Sequence, residues 1–477
     1  MGSKPYRGNL EIMRRLCGPL WVLAVCALSG LCRAEPAAEN NGLARLDFRE
    51  VIRKAKDKVF PALVFIKSLR ESLEVGKKAS RETAGSGIII SPKGEVLTNW
   101  HVVEKATEVR CLLFDGQAFY AKVLGSDKDT DLALLELQRP AAPVAGNGLP
   151  PALPHAALGE SGRLKEGDFV MAMGAPWGLA RSVSIGIISC TRRFLPGRSE
   201  YSLWLQTDAS ISPGNSGGPL VNTDGELVGI NALATTMGGD LGFAVPSDTL
   251  KALLPRLRER GKADWSWMGL QLQPLRDFNR NMYFDATEGV MVAGTDPESP
   301  ARRAGVLASD RILRVNGKPV NGITEEDLPA IRRDLGLLPK GEAARVELVR
   351  NGKAVAIELK PCEKGKVEGD ELDCPRWDFT VKTINQFDNP ELYFHRKQGV
   401  FILGVRAPGN AETAGIGRGD ILLSIDGKEV TTLDDVRAIH KAALENIQTK
   451  RRVMISLLRN GLLRQVVLDL SRDHEKE

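Results

Sequence analysis

At 477 residues the chain is longer than one hydrophobic core serves, since cores rarely grow past about 250 to 300 residues, so several domains are expected. Apolar residues at 43% and charged residues at 26% are ordinary globular proportions and argue against extended disorder. The formal charge of +5 falls to near neutrality without the first 34 residues, where Lys4, Arg7, Arg14, Arg15 and Arg33 face only Glu11, so composition indicates no large basic face for nucleic acid.

In chain order, residues 1–34 read as an export signal: basic residues through Arg15, an apolar run from Leu16 to Cys32, then Arg33-Ala34. Cleavage after Ala34 is expected, with an uncleaved membrane anchor or a lipidated Cys32 as alternatives, and the location is periplasmic or otherwise extracytoplasmic. A segment 35–58 leads into residues 59–260, where short alternating apolar runs are separated by turns rich in Gly, Pro, Asn and Asp. This predicts strands at Ser86–Ile90, Glu95–Asn99, Asp131–Leu137, Phe169–Met173, Ser182–Ser189, Leu203–Thr207 and Glu226–Asn231, an all-β pattern of sandwich or barrel type. A helix closes the region at Ser247–Arg260, with Ser247 as its cap and Leu250, Leu253, Leu254 and Leu257 on one face.

The remainder repeats itself. Gly289-Val290, Ala304-Gly305, Asp310 to Leu313 and Asn316-Gly317-Lys318 recur as Gly399-Val400, Ala414-Gly415, Asp420 to Leu423 and Asp426-Gly427-Lys428, and Arg350-Asn351-Gly352 returns as Arg459-Asn460-Gly461. Two copies of one module, 265–361 and 376–471, are expected on either side of a polar linker, 362–375. Cys362 and Cys374 bracket that linker, and export would place them in an oxidising compartment, so a disulfide between them is expected. Cys111 and Cys190, each inside an apolar run, read as buried thiols.

Acyl transfer needs an exposed hydroxyl on a tight turn beside free backbone N–H groups. Gly214-Asn215-Ser216-Gly217-Gly218 offers this, with Ser216 as nucleophile and the N–H groups of Gly214 and Ser216 as the oxyanion hole. The base is His101, which follows a strand in Thr98-Asn99-Trp100-His101; His155, in a Pro-rich connection, reads as a solvated loop residue. Asp131, at the start of Leu132-Ala133-Leu134-Leu135, is the orienting acid, while Asp127 and Asp129 read as exposed members of the preceding turn and stay open as alternatives. The order His, Asp, Ser and the strand that follows Pro219 exclude the nucleophile elbow of α/β-hydrolases, which requires a helix after the serine. No metal or cofactor is called for by this chemistry.

At these residues the chain resembles the HtrA/DegP family of trypsin-like serine proteases. Thr98 to Val103, Asp131 to Leu135 and Gln206 to Leu220 resemble the family's histidine, aspartate and serine motifs. Gly174 to Gly178, Ser184 to Ser189 and Gly242 to Pro246 resemble further signatures. The resemblance implies a mainly β fold, in which a chymotrypsin-like double β-barrel is followed by two α+β PDZ domains, and an oligomer built from trimers. The segment Leu69 to Glu82 is short for the family's longer-looped members. Arg193 resembles an activation-sensing loop arginine, with an exposed loop charge as the plain alternative. By the same analogy the specificity pocket draws on Ser210, Asn231, Ala232 and Leu233, which implies cleavage after small or medium aliphatic residues. Trp267 to Leu270 resembles a PDZ carboxylate-binding loop, with peptide binding through Met268, Gly269 and Leu270, whereas the second copy has Phe379-Thr380-Val381 there, without glycine. The partners implied are unfolded protein or peptide substrates and C-terminal peptides, and the reading is an exported serine endopeptidase; a proteolytically silent chaperone on the same fold is the rival.

Overall fold

The computed structural model describes residues 47–138, 152–175, 181–235, 241–279, 286–365 and 368–474. The expected export signal lies outside them. The mainly β reading holds, with twelve strands forming two closed six-stranded barrels. The first barrel is built from β1 (Leu63–Ser72), β2 (Ala79–Ile89), β3 (Glu95–Thr98), β4 (Ala106–Leu112), β5 (Ala118–Asp127) and β6 (Leu132–Leu137), in the order β1-β2-β3-β6-β5-β4. The second is built from β7 (Phe169–Gly174), β8 (Ser182–Arg193), β9 (Trp204–Thr207), β10 (Pro219–Val221), β11 (Leu227–Thr235) and β12 (Leu241–Pro246), in the order β10-β11-β12-β9-β8-β7.

Alternation drives these strands: in β4 Val109 and Cys111 point into the core while Arg110 and Leu112 point out. Burial pushes the Cys111 thiol up to about 12, so it is a packing group rather than a reactive one. The first hairpin pairs continuously from Leu63↔Ile88 to Ser72↔Ala79, so only residues 73–78 form its tip. The helix Ser247–Arg260 buries Leu250, Leu253, Leu254 and Leu257, each worth about 2 kcal/mol of apolar burial. It ends at Gly261, whose φ of 70° lets its N–H reach the Leu257 carbonyl. Ser247 is not its cap. It occupies the first helical position and spends its hydroxyl on the Gly159 carbonyl and the Ser161 N–H. A helix Phe48–Val59, starting within the N-terminal segment 35–58, packs Ala55 and Val59 into the first core.

The first repeat holds β13 (Ser266–Trp267), β14 (Leu270–Gln273), β15 (Val290–Thr295), β16 (Arg311–Val315), β17 (Lys318–Pro319), β18 (Ala344–Arg350), β19 (Lys353–Leu359) and β20 (Cys362–Glu363), with a helix Leu328–Gly336. Its main sheet runs β14-β15-β16-β18-β19, so β14 is an edge strand, while β13 pairs with β20. The second repeat holds β21 (Glu371–Cys374), β22 (Phe379–Thr383), β23 (Val400–Val405), β24 (Ile421–Ile425), β25 (Lys428–Glu429), β26 (Arg452–Arg459) and β27 (Leu462–Asp469), with a helix Leu433–Glu445. Its order is β21-β22-β23-β24-β26-β27, the same plan with one extra strand.

Two expectations fail here. The stretch read as a linker contributes strands at both ends, β20 and β21. Cys362 and Cys374 are free thiols in different sheets, because Cys374 closes the β21–β22 hairpin inside the second core while Cys362 pairs opposite Trp267 in the first repeat.

Candidate active site

A single helical turn, Trp100–Val103, follows β3 and is anchored by buried Val102 and Val103. It carries His101 to the barrel rim, with its side chain 39% exposed. Asp131 stands at the entry to β6 with φ 54°, a left-handed conformation that Asp tolerates better than most residues. Its carboxylate meets His101 three times: Nδ1 lies 2.9 Å from Oδ2 and 3.0 Å from Oδ1, and the His101 backbone N–H donates to Oδ1 at 3.1 Å. A carboxylate only accepts, so Nδ1 carries the proton and Nε2 is left as the acceptor. Asn99 Nδ2 donates to the Asp131 carbonyl at 2.9 Å and fixes the two segments together.

Ser216 lies on the second barrel's β9–β10 connection. Gly85 of β2 sits where the two sides meet, since a Cβ there would lie 2.8 Å from a Val102 methyl and 3.1 Å from the Ser216 carbonyl oxygen. Gly217, at φ 83°, is forced: a Cβ would come within 2.1 Å of the Ser86 carbonyl oxygen and 2.2 Å of Thr98 Oγ1. In the loop, the N–H groups of Asn215, Gly217 and Gly218 donate to the carbonyls of Ser212, Asn231 and Asn215. Among the described residues, those of Gly214 and Ser216 have no backbone acceptor. Ser216 Oγ donates to the Ala232 carbonyl at 3.1 Å.

Ser86 is a residue that reading the sequence placed in a strand and gave no role. Its N–H donates to the Ser216 carbonyl at 2.8 Å, its Oγ donates to the Gly214 carbonyl at 2.7 Å, and the Oγ accepts from Ala175 N–H at 2.9 Å. One first-barrel serine thus holds the Gly214–Asn215 and Ser216–Gly217 peptides, which flank the Asn215–Ser216 peptide. A small hydroxyl residue opening the apolar run to Ile90 was the available signal.

Asp127 and Asp129 are not the exposed turn residues expected. Asp127 is buried, and its Oδ1 accepts from Trp265 Nε1 at 3.1 Å while Oδ2 accepts from the Thr130 N–H and hydroxyl. Burial, aided by nearby Asp129, pushes its carboxyl up to about 6 against those hydrogen bonds. Asp129 is half-buried, and burial raises its carboxyl also. Exposed His155 faces the Leu153 carbonyl through Nδ1, 3.1 Å away.

Of the pocket residues, Ser210 is exposed, Ala232 is buried and Leu233 is half-buried. Asn231 does not present its amide to a pocket: it is buried, and Nδ2 donates to the Met173 and Pro219 carbonyls. Arg193 is not an exposed loop charge either. It ends β8, half-buried, with Nε donating to Gln206 Oε1 at 2.8 Å in the neighbouring strand.

In the first repeat the Met268 and Gly269 carbonyls accept from the N–H groups of Ala301 and Asp296. In a trans peptide the N–H points opposite the carbonyl, so those of Gly269 and Leu270 are turned away from Ala301 and Asp296. Gly269, at φ 68°, could carry no Cβ, which would lie 2.2 Å from Ser299 Cβ. Beside this turn a cavity of about 330 Å³ is lined by Trp267, Leu272, Arg332, Gly336, Tyr201 and Phe387, among others. The corresponding place in the second repeat is filled. β21 pairs with the free edge of β22 from Glu371↔Lys382 to Cys374↔Phe379, and it contacts the helix Leu433–Glu445 on its other side.

Residues 85–230 match the trypsin-like peptidase domain, and residues 266–360 and 401–445 each match the PDZ domain. A probable periplasmic serine endoprotease DegP-like of Halomonas elongata is 34% identical over 407 residues, covering 83% of this chain and 81% of that protein. A protein of the same description from Chlamydia muridarum is 32% identical over 393 residues, 80% and 74% of the two chains. Among solved structures, the HtrA-type protease AlgW with a tripeptide superposes with a TM-score of 0.57 at 29% identity, covering 66% of this chain and 97% of that one. With a decapeptide, AlgW gives 0.55 at 28% identity over 66% and 99%. Double barrel, paired PDZ modules and similarity along four-fifths of its length together place this chain in the DegP-like, HtrA-type family of serine endoproteases.

Proposed function

We propose that the chain hydrolyses peptide bonds of unfolded proteins through a His101, Asp131, Ser216 triad and an acyl-enzyme. The observation that carries this is the seating of His101 Nδ1 on both Asp131 oxygens, which leaves Nε2 as the acceptor able to serve as base. In the reaction Ser216 Oγ bonds to the scissile carbonyl carbon as its proton passes to His101 Nε2. The oxyanion takes hydrogen bonds from the N–H groups of Gly214 and Ser216, which have no backbone acceptor among the described residues. His101 then protonates the leaving amine, and water, deprotonated by the same Nε2, releases the acyl group. The Ser216 hydroxyl must leave the Ala232 carbonyl to begin, which supports a resting form completed on substrate arrival.

Around this centre we assign Ser210, Ala232 and Leu233 to a pocket for small or medium aliphatic side chains, without the amide of Asn231. Arg193, bonded to Gln206 in the strand before the nucleophile loop, links that loop to residues 194–203. The first PDZ domain captures peptide carboxyl ends at Met268, Gly269 and Leu270. The free edge of β14 supports this, as an added strand needs an unpaired edge. The relatives named periplasmic support an extracytoplasmic location, with export by residues 1–34 and assembly from trimers as the accompanying proposal.

The test is cleavage of a denatured protein with the cuts mapped by mass spectrometry. Ser216→Ala is expected to lower turnover by about 10⁴ to 10⁶ while leaving client binding intact. Undiminished cleavage by the pure variant would overturn the triad and favour a silent binding protein on the same fold.

A further inference from the structure

The turn from Asp127 to Asp131 is gripped from outside the barrel that forms it. Trp265, in the segment leading from the protease domain into the first PDZ domain, donates Nε1–H to buried Asp127 Oδ1 at 3.1 Å. Asp127 Oδ2 holds the Thr130 N–H at 2.9 Å and its hydroxyl at 2.7 Å, immediately before Asp131. Lys128 of the same turn pairs with Glu368, between the two PDZ domains, at 2.6 Å. Trp265 is itself fixed by stacking on Tyr201, with centroids 4.4 Å apart and planes within 4°. Gly336, at the end of the helix that walls the peptide groove, lies against both rings, since a Cβ there would be 3.0 Å from Trp265 and 3.1 Å from Tyr201.

We propose that Trp265 and Asp127 are positioning residues for the protease reaction: the indole N–H fixes the Asp127 carboxylate, and that carboxylate fixes the turn presenting Asp131 to His101. The inference rests on the triad assigned above. Asp131 sits in a left-handed conformation at the end of a four-residue turn, so its carboxylate is aimed by the turn's hydrogen bonds as well as by its own χ angles. Without the indole donor, a buried carboxylate oxygen loses its partner and the turn relaxes. His101 is then oriented less well, and the loss falls on the chemical step rather than on substrate binding. The PDZ approach segment therefore completes the active site, and the contact of Gly336 with the two rings places the groove wall directly behind it.

The experiment uses the full chain with Trp265→Phe, which keeps an aromatic ring against Tyr201 but loses the N–H together with the volume of the second ring, and with Thr130→Val, which removes one donor to Asp127 without changing shape and so separates the hydrogen bonding from the packing. Steady-state hydrolysis of a peptide substrate is measured alongside the rate at which an excess of a fluorophosphonate labels Ser216. Both variants are expected to lose about tenfold in kcat and in labelling rate with KM unchanged, the scale of one misdirected hydrogen bond at the acid. The double variant should lose less than the product of the two single effects, because both act through one carboxylate. Wild-type kcat and labelling in Trp265→Phe, a loss confined to KM, or fully multiplicative effects would overturn the proposal. If instead the unmodified chain labels at a residue other than Ser216, the triad reading fails, an outcome distinct from these.

Discussion

At the scale of single residues, Ser86 and His440 make the sharpest claims. Ser86→Ala removes the hydroxyl that holds the Gly214 carbonyl and leaves Ala175 N–H without its acceptor. The nucleophile loop is then free to turn the Gly214 N–H away from the cleft, and kcat/KM is expected to fall by about 10 to 100-fold, read by steady-state kinetics. His440 stacks edge-on against Trp377 and donates Nε2–H to the Pro375 carbonyl at 2.8 Å. Burial holds its imidazole below the ordinary 6.5. The unfolded chain therefore takes up a proton before the folded one does, so this group's contribution to stability is full above pH 6.5 and is lost as pH falls toward the lower folded value. A titration of its C2 proton by NMR should give a midpoint under 6.5, and His440→Gln should flatten the acid side of the second PDZ domain's stability profile. Reading the sequence places His101 and Ser216 in turns, because each chemistry demands its own local setting, and makes Asp131 the head of a strand, whereas that residue closes the turn just before β6. It misplaces Asp127, since a polar turn reads as solvated until Trp265, distant in sequence, covers it.

At the scale of elements, the repeat has a shared internal clamp. Arg350 grips Asp310 through Nε and Nη2 at 2.7 and 2.6 Å and donates Nη2–H to the Gly305 carbonyl, and Arg459 grips Asp420 and the Gly415 carbonyl in the same way. Both aspartates are 1% exposed. Asp420→Ala leaves the Arg459 guanidinium and the Gly417 N–H without their carboxylate acceptor and is expected to cost the second PDZ domain about 2 kcal/mol, seen as a lower denaturant midpoint with unchanged slope. The recurrence of Asp, Arg, Asn and Gly at matching places made the two modules legible, yet spacing alone could not show that the first two pair. The strands β20 and β21 were illegible for another reason. Glu363 to Asp373 is polar because these short edge pieces face charged partners, Lys262 at Glu363 and Lys105 at Glu371, and no apolar alternation marks them.

Across the whole molecule, polar contacts join the protease and second PDZ domains, beside the packing of Leu73 against the apolar cluster of Ile384, Phe401 and Leu403. Lys105 meets Glu371 at 2.7 Å, Lys128 meets Glu368 at 2.6 Å, and the hairpin tip 73–78 places the Leu73 carbonyl on Thr380 and the Lys78 N–H on Asp373. The lysines are half-exposed, so salt should weaken their pairs. Trypsin is expected to cut after Lys364 in Ser216→Ala protein faster at about 1 M salt than at about 0.1 M, where the Debye length is roughly three times longer. A rate independent of salt would show that apolar contacts hold the junction instead. The strand β21 has a further meaning at this scale. A hairpin turn of only four residues, Pro375 to Asp378, delivers it to β22, so the second PDZ domain carries a competitor in cis at an effective concentration of millimolar or more. A diffusing peptide at micromolar level that pairs no better than β21 would fill fewer than about one in a hundred of these grooves. Peptide titrations should accordingly saturate near one equivalent per chain.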